Sequence, residues 1–116
     1  MKRQQAEARG RAAEREAEEW LVEQGWAILD RRRKTKAGEI DIVARQQGLV
    51  AFIEVKWRKH ASDLAFAIDE YRLRRVAAAA ASVGHEYVAA GEDMRIDVIL
   101  LAPGCTPDHI TNAWQP

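Results

Sequence analysis

At 116 residues, 47% apolar and 31% charged, the chain has material for one domain with a modest core and too little for a two-domain enzyme. Eighteen basic and eighteen acidic residues cancel, so overall charge argues for no polyanionic partner, and the lone Cys105 excludes an intrachain disulfide and a cysteine-based zinc site. The longest apolar stretch, Val76 to Val83, is far short of a membrane span, and Met1 to Gln5 leads into charged residues without a hydrophobic signal core, which predicts a soluble cytoplasmic protein with no membrane partner.

Residues 1–9 read as a polar stub continuing into a first helix, and residues 10–116 as the single domain. Gln4 to Gln24 lacks Pro, contains only Gly10, and repeats Ala13, Ala17, Trp20, Leu21 and Gln24 at helical spacing, so a helix is expected there, ended by Gly25, with Trp20 in the core. Glu14 on that helix has a plain role as a surface partner of Arg11 or Arg15. Trp26 to Arg33, Gly38 to Arg45 and Leu49 to Trp57 then read as three strands of a meander.

His60-Ala61-Ser62-Asp63 breaks the strand pattern and offers Ser62 or Asp63 as the N-cap of a helix from about Leu64 to Ser82, stopped by Gly84. Leu64, Ile68, Tyr71, Arg75 and Val76 mark its expected inner side, and its alanine run suits close packing on a sheet. Arg95 to Leu101 reads as a fourth strand, ended by Pro103-Gly104, with a short element near Ile110 closing the chain. The order αβββαβ predicts an α/β domain with a mixed central sheet flanked by helices, because a helical crossover lets the fourth strand run parallel to its neighbour. His60, His85 and His109 are widely separated and read as surface or turn residues. Asp97 alternates with Arg95 on one strand face, the spacing of a structural ion pair.

The second and third strands carry the chemistry. Thirteen residues separate Asp41, in Gly38-Glu39-Ile40-Asp41-Ile42-Val43, from Glu54, in Phe52-Ile53-Glu54-Val55-Lys56, and Gln46-Gln47-Gly48 between them reads as a hairpin turn. Alternation puts Glu39, Asp41 and Val43 on one side of the first strand of this pair, and Phe52, Glu54 and Lys56 on one side of the other; Ile40, Ile42, Ile53, Val55 and Trp57 take the opposite sides. An even loop, two residues at Gln46-Gln47 or four through Leu49, brings Asp41 to the face of Glu54 and Lys56. A three-residue loop separates them.

Carboxylates opposite each other on a sheet repel unless a cation lies between them. Mg²⁺ or Mn²⁺ accepts one or two carboxylates plus water and substrate phosphate, and the Lys56 ammonium alongside suits a reaction that accumulates negative charge on phosphorus. The set therefore fits phosphodiester hydrolysis. The plain alternative is an amphipathic hairpin with three charges on its wet face.

Charge distribution supports a polyanionic partner where the total does not. Residues 1–30 carry five basic and seven acidic residues, residues 31–75 twelve and six, and residues 76–116 one and five. The excess surrounds the acidic hairpin: Arg31, Arg32, Arg33, Lys34 and Lys36 precede it, Lys56, Arg58 and Lys59 follow it, and Arg72, Arg74 and Arg75 come on the next helix. Such an arrangement can hold a phosphate backbone with salt-sensitive affinity, or it is an ordinary solvated charge run.

Asp41, thirteen residues, then Glu54-Val55-Lys56 resembles the D…(E)XK signature of the PD-(D/E)XK nuclease superfamily, whose Holliday-junction resolvases also begin the first acidic strand with a GEID-like run. Glu14-Arg15-Glu16-Ala17, Gly25-Trp26-Ala27-Ile28-Leu29, Gly38-Glu39-Ile40-Asp41, Glu54-Val55-Lys56 with Arg58, Arg95-Ile96-Asp97-Val98 and Asn112-Ala113-Trp114 are similar in order and spacing to the small YraN-type family of endonuclease-like proteins. The resemblance runs from about Gly10 to Trp114. It implies a restriction-endonuclease-like core and a metal-dependent endonuclease acting on DNA, branched or structured DNA included, with a non-catalytic nucleic-acid-binding module as the alternative.

By that resemblance Asp41, Glu54 and the Val55 carbonyl hold the Mg²⁺ or Mn²⁺. Lys56 orients the attacking water or offsets charge, and Glu14 approaches the metal from the first helix. Arg31, Arg32, Arg33, Lys34, Lys36, Arg58, Lys59, Arg72 and Arg75 are the expected nucleic-acid contacts. Junction resolvases pair as symmetric dimers, which extends a homodimer to this chain, although no segment identifies a self-complementary surface. Two positions depart from the family's habit: Arg32 stands where relatives often have Asn, and Arg72 where many have Lys.

Overall fold

Burial is nearly continuous along the central strands, as a sheet covered on both faces requires, and the computed structural model, which describes residues 2–114, shows how the cover is built. The helix α1 (Lys2–Glu23) is followed by β1 (Ala27–Lys34), β2 (Glu39–Gln46) and β3 (Leu49–Trp57), then a 3₁₀ turn (Ala61–Phe66), α2 (Glu70–Val83), β4 (Asp93–Leu101) and β5 (Asp108–Ile110). Met1, Gln115 and Pro116, the outer ends of the expected stub and domain, lie outside the described residues. The sheet order is β1-β2-β3-β4-β5, with β3 and β4 parallel and the other neighbours antiparallel, so α2 lies in the crossover that returns the chain to the same end of the sheet. The mixed α/β sheet is the architecture expected. Among the described residues no helix is long and apolar enough to cross a membrane.

Two apolar layers hold the helices to the sheet. Ala13, Ala17 and Leu21 of α1 pack on Ile42, Ala44, Ala51, Ile53, Ile99 and Leu101, with Trp20 partly buried at the edge. Leu73, Val76, Ala79, Ala80 and Val83 of α2 pack on the other face against Val43, Val50, Phe52, Ile96 and Val98. The small residues of both helices let their axes approach the sheet closely, and each buried aliphatic side chain contributes about 1.5–3 kcal/mol. Gln24, placed on the inner side of the first helix by periodicity, is exposed.

The second helix begins later than the sequence suggests. Ser62 and Asp63 fall inside the 3₁₀ turn, and the N-cap is Asp69, whose Oδ1 accepts the backbone N–H groups of Tyr71 (2.9 Å) and Arg72 (3.4 Å). With helical phase set from Glu70, the stripe 73-76-80-83 faces inward; Ile68, Tyr71 and Arg75, assigned to the inner side by a phase counted from Leu64, are exposed. A second departure concerns β2. Ile40 packs in the α2 layer while Ile42 packs in the α1 layer, so strict alternation slips by one residue at Asp41. Val43 likewise shares the α2 side with Ile40, not the opposite one.

Candidate active site

The β2–β3 turn is Gln47-Gly48, with φ of 44° and 77°, the left-handed pair that a two-residue hairpin with native twist demands. Pairing runs from Gln46↔Leu49 to Ile42↔Ile53, so partner numbers sum to 95 and Asp41 falls level with Glu54. The loop is even, one residue further along than Gln46-Gln47. Beyond Ile42 the two strands part. The N–H of Val55 is donated to Asp41 Oδ2 at 2.8 Å, a carboxylate standing where a neighbouring strand would offer a carbonyl. Asp41, the residue between Ile40 and Ile42, thus meets β3 through its side chain, beyond the last backbone pairing of the two strands.

This places Asp41 between two concavities. One, of about 410 Å³, lies toward α2 and is lined by Glu39, Asp41, Glu54, Asp69, Arg72 and Arg75, among others. The other, of about 220 Å³, lies toward α1 and takes in Arg11, Glu14, Arg15, Arg32 and Asp41. The larger is shaped at one end by the turn before β2. Thr35 Oγ1 donates to the Gly38 carbonyl (2.8 Å) and accepts the Ala37 and Gly38 N–H groups (3.1 Å each), pressing Gly38 against α2. A Cβ at Gly38 would sit 3.2 Å from the Arg75 carbonyl oxygen and 3.3 Å from its Cβ, a tight contact that a larger residue could make only if the neighbouring elements shift by a few tenths of an ångström.

The electrostatics of the site are unbalanced at Asp41. Burial first, then repulsion by Glu54, push its carboxyl up to about 7 against the pull of the Val55 N–H, and Glu14 and Glu39 push the same way. Glu54, 5% exposed, is compensated: Lys56 Nζ lies 3.0 Å and Arg72 Nε 3.6 Å from its Oε1. Glu14 reaches the site from α1 and is met by Arg32 Nε at 3.1 Å. Arg32 has φ of 47°, a left-handed backbone that Asn tolerates better than Arg.

Among the described residues no three His, Cys, Asp or Glu side chains form a group able to hold a metal ion by themselves. Two carboxylates that repel each other beside an open cleft are nevertheless the donor set that Mg²⁺ or Mn²⁺ accepts, with water and a substrate phosphate supplying the remaining oxygens. The residues present therefore fit a hard divalent cation and not a closed protein cage. Of Val55, the recorded contact is its N–H on Asp41.

The basic residues separate into groups. Arg72 and Arg75 line the larger cleft. Arg31 and Arg32 line the smaller, where Arg31 makes a two-pronged pair with Glu18 that holds the Glu18 carboxyl below its ordinary range. Arg33 is bound elsewhere, by Glu86 (2.7 and 2.9 Å) and the Tyr87 hydroxyl (3.1 Å). Arg58 donates to the Trp57 carbonyl, and Lys34, Lys36 and Lys59 are exposed.

Two features escape periodicity. Asp69 and Tyr71 belong to the larger cleft, and the only local signal was Asp69 preceding the acidic and aromatic first turn of α2. Asp97, fully buried on the α1 side, holds Arg95 (2.8 and 2.9 Å), His109 Nε2 (2.8 Å) and the Asn112 N–H (2.9 Å). Burial alone would raise its carboxyl, but those donors outweigh it and hold it below the ordinary value. His109 is thus not a surface or turn residue: it sits between Trp20 and Trp26, its ring centroid 5.7 and 5.8 Å from theirs.

The family model described as Uncharacterised protein family UPF0102 matches residues 13–101, which span α1 through β4 and include every element of the site. A UPF0102 protein of Erythrobacter litoralis is 63% identical over 116 residues, covering all of both chains, and one of Sphingopyxis alaskensis is 54% identical with the same coverage. A UPF0102 protein of Rhodopseudomonas palustris is 42% identical over 107 residues, 91% of this chain and 82% of its own.

Proposed function

From the premise that the chain belongs to the UPF0102, YraN-like family, we propose that its larger cleft is the active site of a metal-dependent nuclease of the PD-(D/E)XK type. On this reading the α1, β1–β3, α2, β4 order is a restriction-endonuclease-like core, and the substrate is DNA, branched or structured DNA included. The observation that carries it is the meeting of Asp41 and Glu54 beside Lys56 where β2 and β3 part.

Asp41 and Glu54 would hold Mg²⁺ or Mn²⁺. Such a cation supplies positive charge to the phosphate oxygens and acidifies a water to make it nucleophilic. The chain's own residues do the rest. Val55 N–H fixes the Asp41 carboxyl, so its free oxygen is aimed without reorganisation. Lys56, 13% exposed at its side chain, keeps an ammonium beside the reacting phosphate and counters charge that grows on it. Arg72 and Arg75 bind the flanking backbone phosphates. Glu14 stands outside the pair, modulating Asp41 by repulsion while Arg32 restrains it.

One observation favours the second reading, a nucleic-acid-binding module that cleaves nothing: Glu54 already has two cationic partners, Lys56 and Arg72. The two readings part in one experiment. Purified protein is incubated with labelled duplex, single-stranded, flap and four-way DNA in Mg²⁺, Mn²⁺ or EDTA, beside Asp41→Asn and Lys56→Ala. Metal-dependent cutting lost in both folded variants supports the nuclease; salt-sensitive binding without cutting by the wild type supports the module.

A further inference from the structure

Six of the eight aromatic residues of the chain are buried or partly buried, and the two that stand in solvent, Phe66 and Tyr71, fall within six residues of each other. Phe66 is 86% exposed, Tyr71 64%, and Ile68 between them 40%. The other large exposed apolar residues among those described, Val22 and Met94, lie on other elements. Exposed aromatics concentrated on one short segment mark a contact surface and not a scatter of incidental apolar area.

The position of Tyr71 ties this segment to the cleft. Asp69 caps α2 by accepting the Tyr71 N–H at 2.9 Å, which anchors the Tyr71 backbone, and the Tyr71 side chain lines the same cleft as Asp41, Glu54, Arg72 and Arg75. Ile68 lines the adjoining small pocket with Glu54 and Lys56. A phenol ring beside two guanidinium groups and two carboxylates is poorly suited to a dry protein contact, because covering it desolvates those charges. Three apolar side chains are also far less than the roughly 800 Å² per partner that a stable dimer buries. The same surroundings suit a nucleotide, whose phosphate meets the arginines while its base meets the ring.

We infer that Tyr71, continued outward by Ile68 and Phe66, is a stacking platform that takes an unpaired nucleobase next to the phosphate held in the cleft. This rests on the nuclease reading of that cleft and sharpens it: the substrate class is nucleic acid with an unstacked nucleotide at the cut, since a base inside a continuous duplex offers no free face.

The test separates binding from cutting. In EDTA, the binding of a single-stranded oligonucleotide carrying one 2-aminopurine, and of its fully paired duplex, is followed by fluorescence for wild type, Tyr71→Ala, Tyr71→Phe and Phe66→Ala. The expected result is tighter single-strand binding with quenched fluorescence, weakened about tenfold or more by Tyr71→Ala and less by Phe66→Ala, and kept by Tyr71→Phe. Because both side chains are exposed, melting temperatures stay unchanged and the loss is one of contact. Unchanged affinity and quenching in Tyr71→Ala overturns the platform, as does a shift from dimer to monomer in that variant by sedimentation, which assigns the patch to self-association. Metal-dependent cutting of duplex with the platform variants neutral would overturn this inference alone. Single-strand stacking without any cutting would remove the nuclease reading and leave the platform standing.

Discussion

The carboxylate of Asp41 accepts the backbone N–H of Val55 at 2.8 Å, one residue past the last paired position of β2 and β3. The acid therefore has two duties. It satisfies a β3 donor where the strands separate, and it keeps a second oxygen in a cleft with Glu54 opposite. A group with both duties is held in place at a cost in desolvation and then in repulsion, and that cost is measurable.

Asp41 has its folded pKa raised to about 7 from 3.8, chiefly by burial and then by Glu54, so ionisation opposes folding. The sign follows: the penalty is absent below pH 4, grows between pH 4 and 7 as the unfolded chain loses the proton more easily, and is constant above. At 1.36 kcal/mol per unit it reaches about 4 kcal/mol. Asp41→Asn, whose amide oxygen can still accept the Val55 N–H, is expected to equal wild type near pH 4 and exceed it by pH 8 in EDTA. Urea unfolding across that range checks it, and a wild type that gains on the variant as pH rises would show the wrong sign.

Lys56 and Glu54 lie 3.0 Å apart with 13% and 7% of their side chains exposed. Removing the lysine leaves a buried carboxylate with Arg72 at 3.6 Å as its remaining partner, a loss of about 3 kcal/mol. Lys56→Ala is expected to fold less stably by that order, and the double change with Glu54→Gln to recover much of the loss. Equal destabilisation by single and double variants in denaturant titrations would contradict a coupled pair.

Gly38 is closed against α2 at Arg75, so Gly38→Ala has to push β2 and the helix apart by a few tenths of an ångström. A stability loss of about 1–2 kcal/mol is expected from crowding of this kind. Because the displaced elements are the walls of the cleft, nucleic-acid cleavage should fall further than the melting temperature alone explains. A neutral Gly38→Ala in both assays would show that the contact gives way freely.

Arg72 and Arg75 line the cleft while Arg33 is occupied by Glu86 and Tyr87. Each of Arg72→Ala and Arg75→Ala should therefore reduce the slope of log affinity against log salt by about 1, with Arg33→Ala leaving it unchanged. Filter binding in EDTA between low and moderate salt measures this. An Arg33 effect as large as that of Arg72 would move the phosphate track to the β1 side.

How much of this was legible in the sequence depends on the range of the interactions involved. β3 was readable to its terminal residues because its apolar run is bounded by Gly48 and by the polar break at Arg58. The convergence of Asp41 and Glu54 followed from an even turn, and Gly48 supplies one of the two left-handed residues that turn needs. The inner face of α2 was misread because phase was counted through Leu64 to Asp69, where a 3₁₀ turn and a capping aspartate reset it. The Asp41–Val55 hydrogen bond joins residues fourteen apart, and the Asp97–His109 pair needs β5 to return beside β4; no local period encodes either.

The central claim is that Asp41 and Glu54 share one divalent cation, and Mn²⁺ binding followed by electron paramagnetic resonance at pH 8 tests it most directly. Wild type is expected to bind one Mn²⁺, with Asp41→Asn and Glu54→Gln each losing it and Arg33→Ala retaining it. Mn²⁺ bound equally well by wild type and by the Asp41→Asn, Glu54→Gln double variant would contradict the account.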